Sequence, residues 1–295
     1  MQSFGKSRIL IIGCGDIGLR VAKQLSRSNR VYALTSQKSR FQELRSAGAI
    51  PILGDLDKPD SLWRLNGLAQ IVIHLAPPQN TGLRDCRTRN LLRILAQGGN
   101  TVRRFIYVST TGVYGDHAGA IVSEATPVNP QSERAKRRVD AEQHLRLWAP
   151  ANGVALTVLR VPGIYAEDRL PIERIKSKTP ALIAAEDAYS NHIHSDDLAK
   201  LVCAAIYYGK PQRVINTCDG GETKMGDYFD EVADAFGLDR PPRLPMAQVK
   251  EQVSPMLFSF MRESRRVSNK RLKELKTQLR YPNVAAFLKT ISKNP

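Results

Sequence analysis

The sequence predicts an α/β protein, a doubly wound parallel sheet with a smaller C-terminal lobe. Three observations carry that prediction. Short apolar runs alternate with segments whose apolar residues recur at helical spacing. The runs are apolar throughout, as in strands of a parallel sheet covered on both faces. The first run ends in a glycine-rich turn that opens a helix.

Taken in order, the strand candidates are Ile9–Ile12, Val31–Leu34, Ile50–Leu53, Ile71–Leu75, Phe105–Val108 and Val154–Leu159. Ile17–Leu25 and Leu83–Ala96 carry the helical pattern between them. Residues 1–160 are expected to form the sheet domain, and residues 161–295 mainly the lobe. Elements from about 193 to 217 are expected to return to the sheet. After Arg160 come Pro162, Pro171 and Pro180, which imply loops and short helices. Asp196–Tyr208 and Met225–Phe236 read as helices, Val214–Thr217 as a strand and Pro241–Pro245 as a turn or linker. Ser268–Leu279, with Leu272, Leu275 and Leu279 among seven basic residues from Arg265 to Arg280, reads as a helix with a solvated basic face.

Composition narrows the class. The 295 residues are 42% hydrophobic and 24% charged, which excludes a disordered, collagen-like or coiled-coil chain. No apolar run approaches the ~18 residues of a membrane span. The polar opening Met1–Ser7 has no apolar signal region, and Cys14, Cys86, Cys203 and Cys218 form no CxxC pair. A reducing cytoplasm is the expected location. With 44 Lys+Arg against 28 Asp+Glu the net charge is +16. That charge is compatible with anionic ligands, but no nucleic-acid module or stacking aromatic pattern accompanies it. The five histidines show no metal-ligand spacing, so no metal is expected.

Gly13-Cys14-Gly15-Asp16-Ile17-Gly18 is GxGxxG between a strand and a helix, the context that makes this pattern a Rossmann dinucleotide fingerprint. Gly13 allows the tight turn, Gly15 the approach of a pyrophosphate, and Gly18 close helix–strand packing. The pyrophosphate is expected on the helix N-terminus. Asp16 and Ile17 belong to this loop, Asp16 reading equally as a helix-start carboxylate. The second strand selects the cofactor. An acidic residue about 20 positions on would bind the ribose of NAD; Thr35 stands there instead, followed by Ser36, Lys38 and Arg40. Hydroxyls and cations suit a 2′-phosphate, so NADP is favoured, with NAD left open and simple solvation as the competing reading of Lys38 and Arg40. Asp55, with Leu56 beside it, reads as an adenine contact or a turn carboxylate.

Four further stretches make the chain resemble an extended short-chain dehydrogenase/reductase of the NAD-dependent epimerase/dehydratase type. They are His74-Leu75-Ala76-Pro77, Tyr107 to Gly115, Arg160 to Tyr165 and His192 to Ala199. The resemblance spans nearly the whole chain. It implies that Ala76, Pro77 and Pro162 lie against the cofactor and that Thr110 orients the substrate. It also implies a catalytic tyrosine and, one helical turn later, a lysine on the helix after the fifth strand. The family's glutamate matches Glu142 and sets the register, which puts Arg134 at the tyrosine position and Arg138 at the lysine position. A guanidinium stays protonated and cannot cycle a proton near neutrality. Arg138 can replace the lysine as a ribose-binding cation, and Arg134 can stabilise an oxyanion or bind an anion. The candidate catalytic residues are therefore Thr110, Arg134, Arg138 and Tyr114, with Tyr165 and Glu124 as further proton carriers. Tyr165, Arg169 and His194 are candidate substrate contacts, each with a packed or solvated alternative.

The expected function is an NAD(P)-dependent oxidoreductase or epimerase-like enzyme with an atypical site. Its substrate is expected to be a small molecule, anionic or sugar-nucleotide-like, and a homo-oligomer is compatible with the sequence. The alternative is an NADP(H)-binding sensor or regulator without turnover.

Overall fold

A computed structural model describes residues 6–97 and 101–291. Met1–Gly5, part of the polar opening read above, lie outside the described residues. Seven parallel strands form the central sheet: β1 Arg8–Ile12, β2 Arg30–Thr35, β3 Ile50–Leu53, β4 Ile71–His74, β5 Arg104–Thr110, β6 Ala155–Val161 and β7 Arg213–Asn216. Their order is β7-β6-β5-β4-β1-β2-β3. The order reverses between β1 and β4, and ligands of such sheets bind at that switch point, beyond the carboxyl ends of the strands.

Alternation along β1 shows why these runs are apolar throughout. Ile9 and Ile11 pack on one face with Val21, Ala22 and Leu25 of helix α1, Asp16–Leu25. Leu10 and Ile12 pack on the other face with Leu91, Leu92 and Leu95 of α3, Cys86–Ala96, and with Ala141 and Leu145 of α4, Glu133–Ala151. The short helix α2, Phe41–Ser46, covers the first face through Leu44, and α5, Ser195–Tyr208, covers it through Leu198, Leu201, Val202 and Ala205. Three of the covering helices, α3, α4 and α5, carry side-chain caps. Asp85 accepts from the Thr88 amide at the start of α3, and Ser132 from the Ala135 amide at the start of α4.

The C-terminal third adds a third core in which Tyr165, Tyr228, Phe229, Tyr281 and Phe287 pack with Val232 and Leu288. Two expectations are corrected here. Ser268–Leu279 is not an α-helix: Lys270–Leu275 forms a 3-10 helix that Lys276 ends in the left-handed region at φ 48°. Leu272 and Leu275, three apart, satisfy a three-residue period and pack on the α5 face of the sheet. Just before it, Arg266–Val267 pairs with Ile121–Val122, which holds the segment extended at its start. The expected linker Pro241–Pro245 contains Arg243–Leu244, a short strand parallel to Ala181–Leu182.

Candidate functional site

Among the clefts formed by the described residues, two adjoin each other at the carboxyl ends of the strands. The first, about 460 Å³, is lined by the glycine loop, the end of β2 and the turns after β3 and β4. Gly13 has φ +84°, and a Cβ there would come within 2.4 Å of the Ala76 amide nitrogen. Gly18 would press a Cβ to 3.0 Å from the Gly13 carbonyl. A Cβ on Gly15 would instead meet nothing within 4 Å, because this residue faces the open cleft. No side chain caps α1 at Gly15, so the amides of its first turn are left for a ligand. A groove that only glycine leaves open, ending on uncapped helix amides, fits a dinucleotide pyrophosphate.

Gly13, Gly15, Asp16, Ile17, Gly18, Thr35, Ser36, Arg40, Asp55, Leu56, Ala76 and Pro77 all line this cleft. Asp16 accepts from Arg20 Nε at 2.7 Å, so its carboxylate acts within the helix as well as on the cleft. Arg40 gives Nε and Nη2 to Glu43 Oε2, at 2.8 and 2.7 Å. The Thr35 hydroxyl accepts from the Gln37 amide at 3.2 Å, and Asp55 accepts from the Asp57 amide. Cys14, Gln37 and Arg87 also line the cleft but carry no signal of their own in the sequence. Burial pushes the Cys14 thiol up to about 11, so it stays protonated.

The second cleft, about 240 Å³, lies beside the first, since neighbouring residues Ile164 and Gly163 line one each. Thr110, Arg134 and Pro162 reach it. Pro162, expected against the cofactor, thus faces the second cleft. Thr110 caps the turn after β5, its Oγ1 accepting from the Gly112 amide at 3.1 Å. Glu142, the residue that sets the register, lies buried below. It accepts from Ser109 Oγ at 2.6 Å and from Arg160 Nη2 at 2.7 Å, fixing α4 against the ends of β5 and β6.

The remaining candidates lie elsewhere. Arg138 lines neither cleft; its Nη1 reaches the Val108 carbonyl at 2.9 Å, Tyr107 Oη at 3.0 Å and the Ala76 carbonyl at 3.3 Å, bracing β5 against the turn after β4. Tyr114 is fully buried, donates to Asn216 Oδ1 at 2.7 Å and lies under the Arg160 guanidinium. Glu124 accepts from the Asn216 amide and stands 3.6 Å from Arg271. Tyr165 is buried in the aromatic core beside His194, and burial, with Asp219 nearby, holds its phenol far above the ordinary range. His194 caps α5 by accepting from the Asp196 amide and lines neither cleft, its ring packed beside Tyr281 and Phe287. Arg169, expected at the substrate, sits instead on the first cleft, 3.6 Å from Asp16.

Several residues of the second cleft escape the sequence reading: Tyr189, Asn191, His192, Phe260, Glu263 and Arg265. His192 stands two residues before His194 in a stretch already singled out. Burial depresses its imidazole to about 4, so it is neutral at pH 7. Arg265 reads in the sequence as part of a solvated basic face. It donates instead to the Gly115 carbonyl at 2.8 Å and to Glu263 at 2.9 Å.

Comparisons with known proteins agree with this architecture. The model of the NAD dependent epimerase/dehydratase family matches residues 9–218. Protein YeeZ of Escherichia coli (strain K12) is 24% identical over 243 residues, covering 79% of this chain and 85% of that one. A functionally unknown conserved protein from Silicibacter pomeroyi DSS superposes with a TM-score of 0.83 at 28% identity, over 98% of this chain and 99% of that one. UDP-glucose 4-epimerase of Thermus thermophilus, solved in complex with NAD, gives a TM-score of 0.76 at 18% identity over 97% and 98%, a likeness of fold. The sheet order, the glycine loop and a family match across the whole sheet lead to one conclusion: this chain belongs to the NAD dependent epimerase/dehydratase family.

Proposed function

We propose that the chain is an NADP(H)-dependent oxidoreductase or epimerase-like enzyme of the extended short-chain type, acting on a small anionic molecule. The observation that carries the cofactor preference is the end of β2. There Thr35, Ser36 and Arg40 line the cleft where an NAD-binding carboxylate would stand. Nη1 of Arg40 is left over from its pairing with Glu43 and suits a 2′-phosphate. A bound nicotinamide would supply a hydride acceptor or donor; the chain's own residues would hold it on the glycine loop and position a substrate by Thr110. Parallel calorimetric titrations with NADPH and NADH test this reading. Tighter NADPH binding is expected, and equal or tighter NADH binding would overturn the preference.

In this reading the family's tyrosine–lysine pair is replaced by Arg134 and Arg138, neither of which delivers a proton at neutral pH. One observation favours the second reading, a cofactor-binding protein without turnover: Arg138 spends its Nη1 on three protein oxygens rather than facing a cleft. The double change Arg134→Tyr with Arg138→Lys separates the two. Under the enzyme reading the wild type oxidises NADPH with some member of a carbonyl panel. Under the sensor reading the wild type is inert and only the rebuilt pair shows turnover.

A further inference from the structure

The second cleft carries more than a place for a substrate. Its volume, about 240 Å³, is roughly half that of the dinucleotide cleft at about 460 Å³. A sugar nucleotide is most of the size of a dinucleotide and needs a comparable site. The cleft's charges are equally restrictive. Arg134 makes no hydrogen bond and no ion pair among the described residues, its guanidinium lying 4.3 Å over the Phe260 ring. Arg265 uses Nη1 for Gly115 and Glu263, while its Nε is buried without a partner. Two guanidiniums thus face the single carboxylate of Glu263, a surplus of one positive charge. The hydroxyls of Thr110 and Ser132 each accept from a backbone amide, which leaves their protons to donate. Phe260, Met225 and Pro162 supply apolar wall.

We propose that this cleft binds a small organic monoanion, a carboxylate on a short apolar body, held by Arg134 and the hydroxyls of Thr110 and Ser132, and that it rejects sugar nucleotides. The apolar body packs on Phe260, and the carboxylate takes the donors that Arg134 presents in a fixed fork. The inference deepens the enzymatic reading above and rests on the first cleft being the dinucleotide site.

The test is calorimetric titration of the full chain, with and without saturating NADP, using benzoate and butyrate as probes. Benzamide serves as the neutral isostere, phenyl phosphate as a dianion, and UDP-glucose as the sugar nucleotide. At least one monocarboxylate is expected to bind, with benzamide weaker by about tenfold or more. Arg134→Gln is expected to weaken the monocarboxylate by about tenfold to a hundredfold, with NADP affinity and melting temperature unchanged. Four results overturn the proposal: no binding of either monocarboxylate, benzamide equal to benzoate, an Arg134→Gln variant that binds as well as wild type, or tighter binding of phenyl phosphate or UDP-glucose. Monocarboxylate binding that depends on Arg134 in a chain with no affinity for NADP would support this cleft's ligand while rejecting the dinucleotide reading.

Discussion

The two clefts share a border at Gly163 and Ile164, yet they are made of different material. The first is backbone: a glycine turn, a helix terminus and the ends of parallel strands. The second is side chain: a guanidinium from α4, an imidazole before α5, and a ring and a second guanidinium from the chain's last fifty residues. Backbone geometry recurs wherever the local sequence is right, so a cofactor site of this kind is common to a fold. Side-chain clusters are free to change, and they set what is bound beside the cofactor.

The largest expected effect separates the two. At Gly15 a Cβ meets nothing within 4 Å, so in Gly15→Val the fold should hold while the side chain fills the open groove and dinucleotide affinity falls by about a hundredfold or more. Fluorescence titration with NADPH measures it, and near-wild-type affinity would put the pyrophosphate elsewhere. Simultaneous loss of monocarboxylate binding would show that the clefts do not act separately.

Next in size is the support beneath the second cleft. Arg160 and Glu142 have side chains 5% and 4% exposed. Glu142→Gln leaves a buried guanidinium without its counter-charge and should lower stability by about 3–5 kcal/mol in urea unfolding. A loss well under 1 kcal/mol would mean that Arg160 finds another acceptor, and the register of α4 would need revision.

Thr35→Asp acts on the first cleft alone. Repulsion of a 2′-phosphate and a new acceptor for the ribose should move the NADP-to-NAD affinity ratio by about tenfold or more toward NAD. An unchanged ratio would remove the end of β2 from the specificity argument.

A pH dependence is shared by both regions. Burial, with the charge of Arg138 adding to it, depresses His74 beneath the first cleft to about 3; burial alone depresses His192 in the second to about 4. The unfolded chain therefore binds more protons than the native state at pH values below about 6.5. The stabilisation is complete above that value and declines as pH falls toward the native values. Melting temperatures should drop between pH 7 and pH 5, and His192→Asn should flatten part of that slope. A slope unchanged in the variant would assign the acid sensitivity to other groups.

How much is legible in the sequence follows the same division. All six strand candidates lie in the parallel sheet, because an apolar run between helical patterns is a local signal. Twelve residues read from strand ends and the glycine loop line one cleft for the same reason. The second cleft is largely illegible. Phe260, Glu263 and Arg265 stand far from Thr110 in the chain, and only tertiary packing brings them together. Arg265 hides among basic neighbours, where a charge run reads as solvated. Tyr114 and His194 mislead in the opposite direction. Each lies in a motif whose chemistry looks functional, but the hydroxyl of Tyr114 is committed to Asn216 and the ring of His194 to a helix cap. The 3-10 segment Lys270–Leu275 is easily misread because leucines three apart fit either helical period.

The pairing of Arg266–Val267 with Ile121–Val122 has a consequence in the order of synthesis. Every residue lining the first cleft lies between Ile12 and Arg169. The second cleft needs Arg265, made well after Arg169 and held beside the pairing of Arg266–Val267 with Ile121–Val122. N-terminal regions generally fold first as a chain emerges, and contacts between distant segments form late. In that order the lining of the first cleft would be assembled before the residues that complete the second have been made.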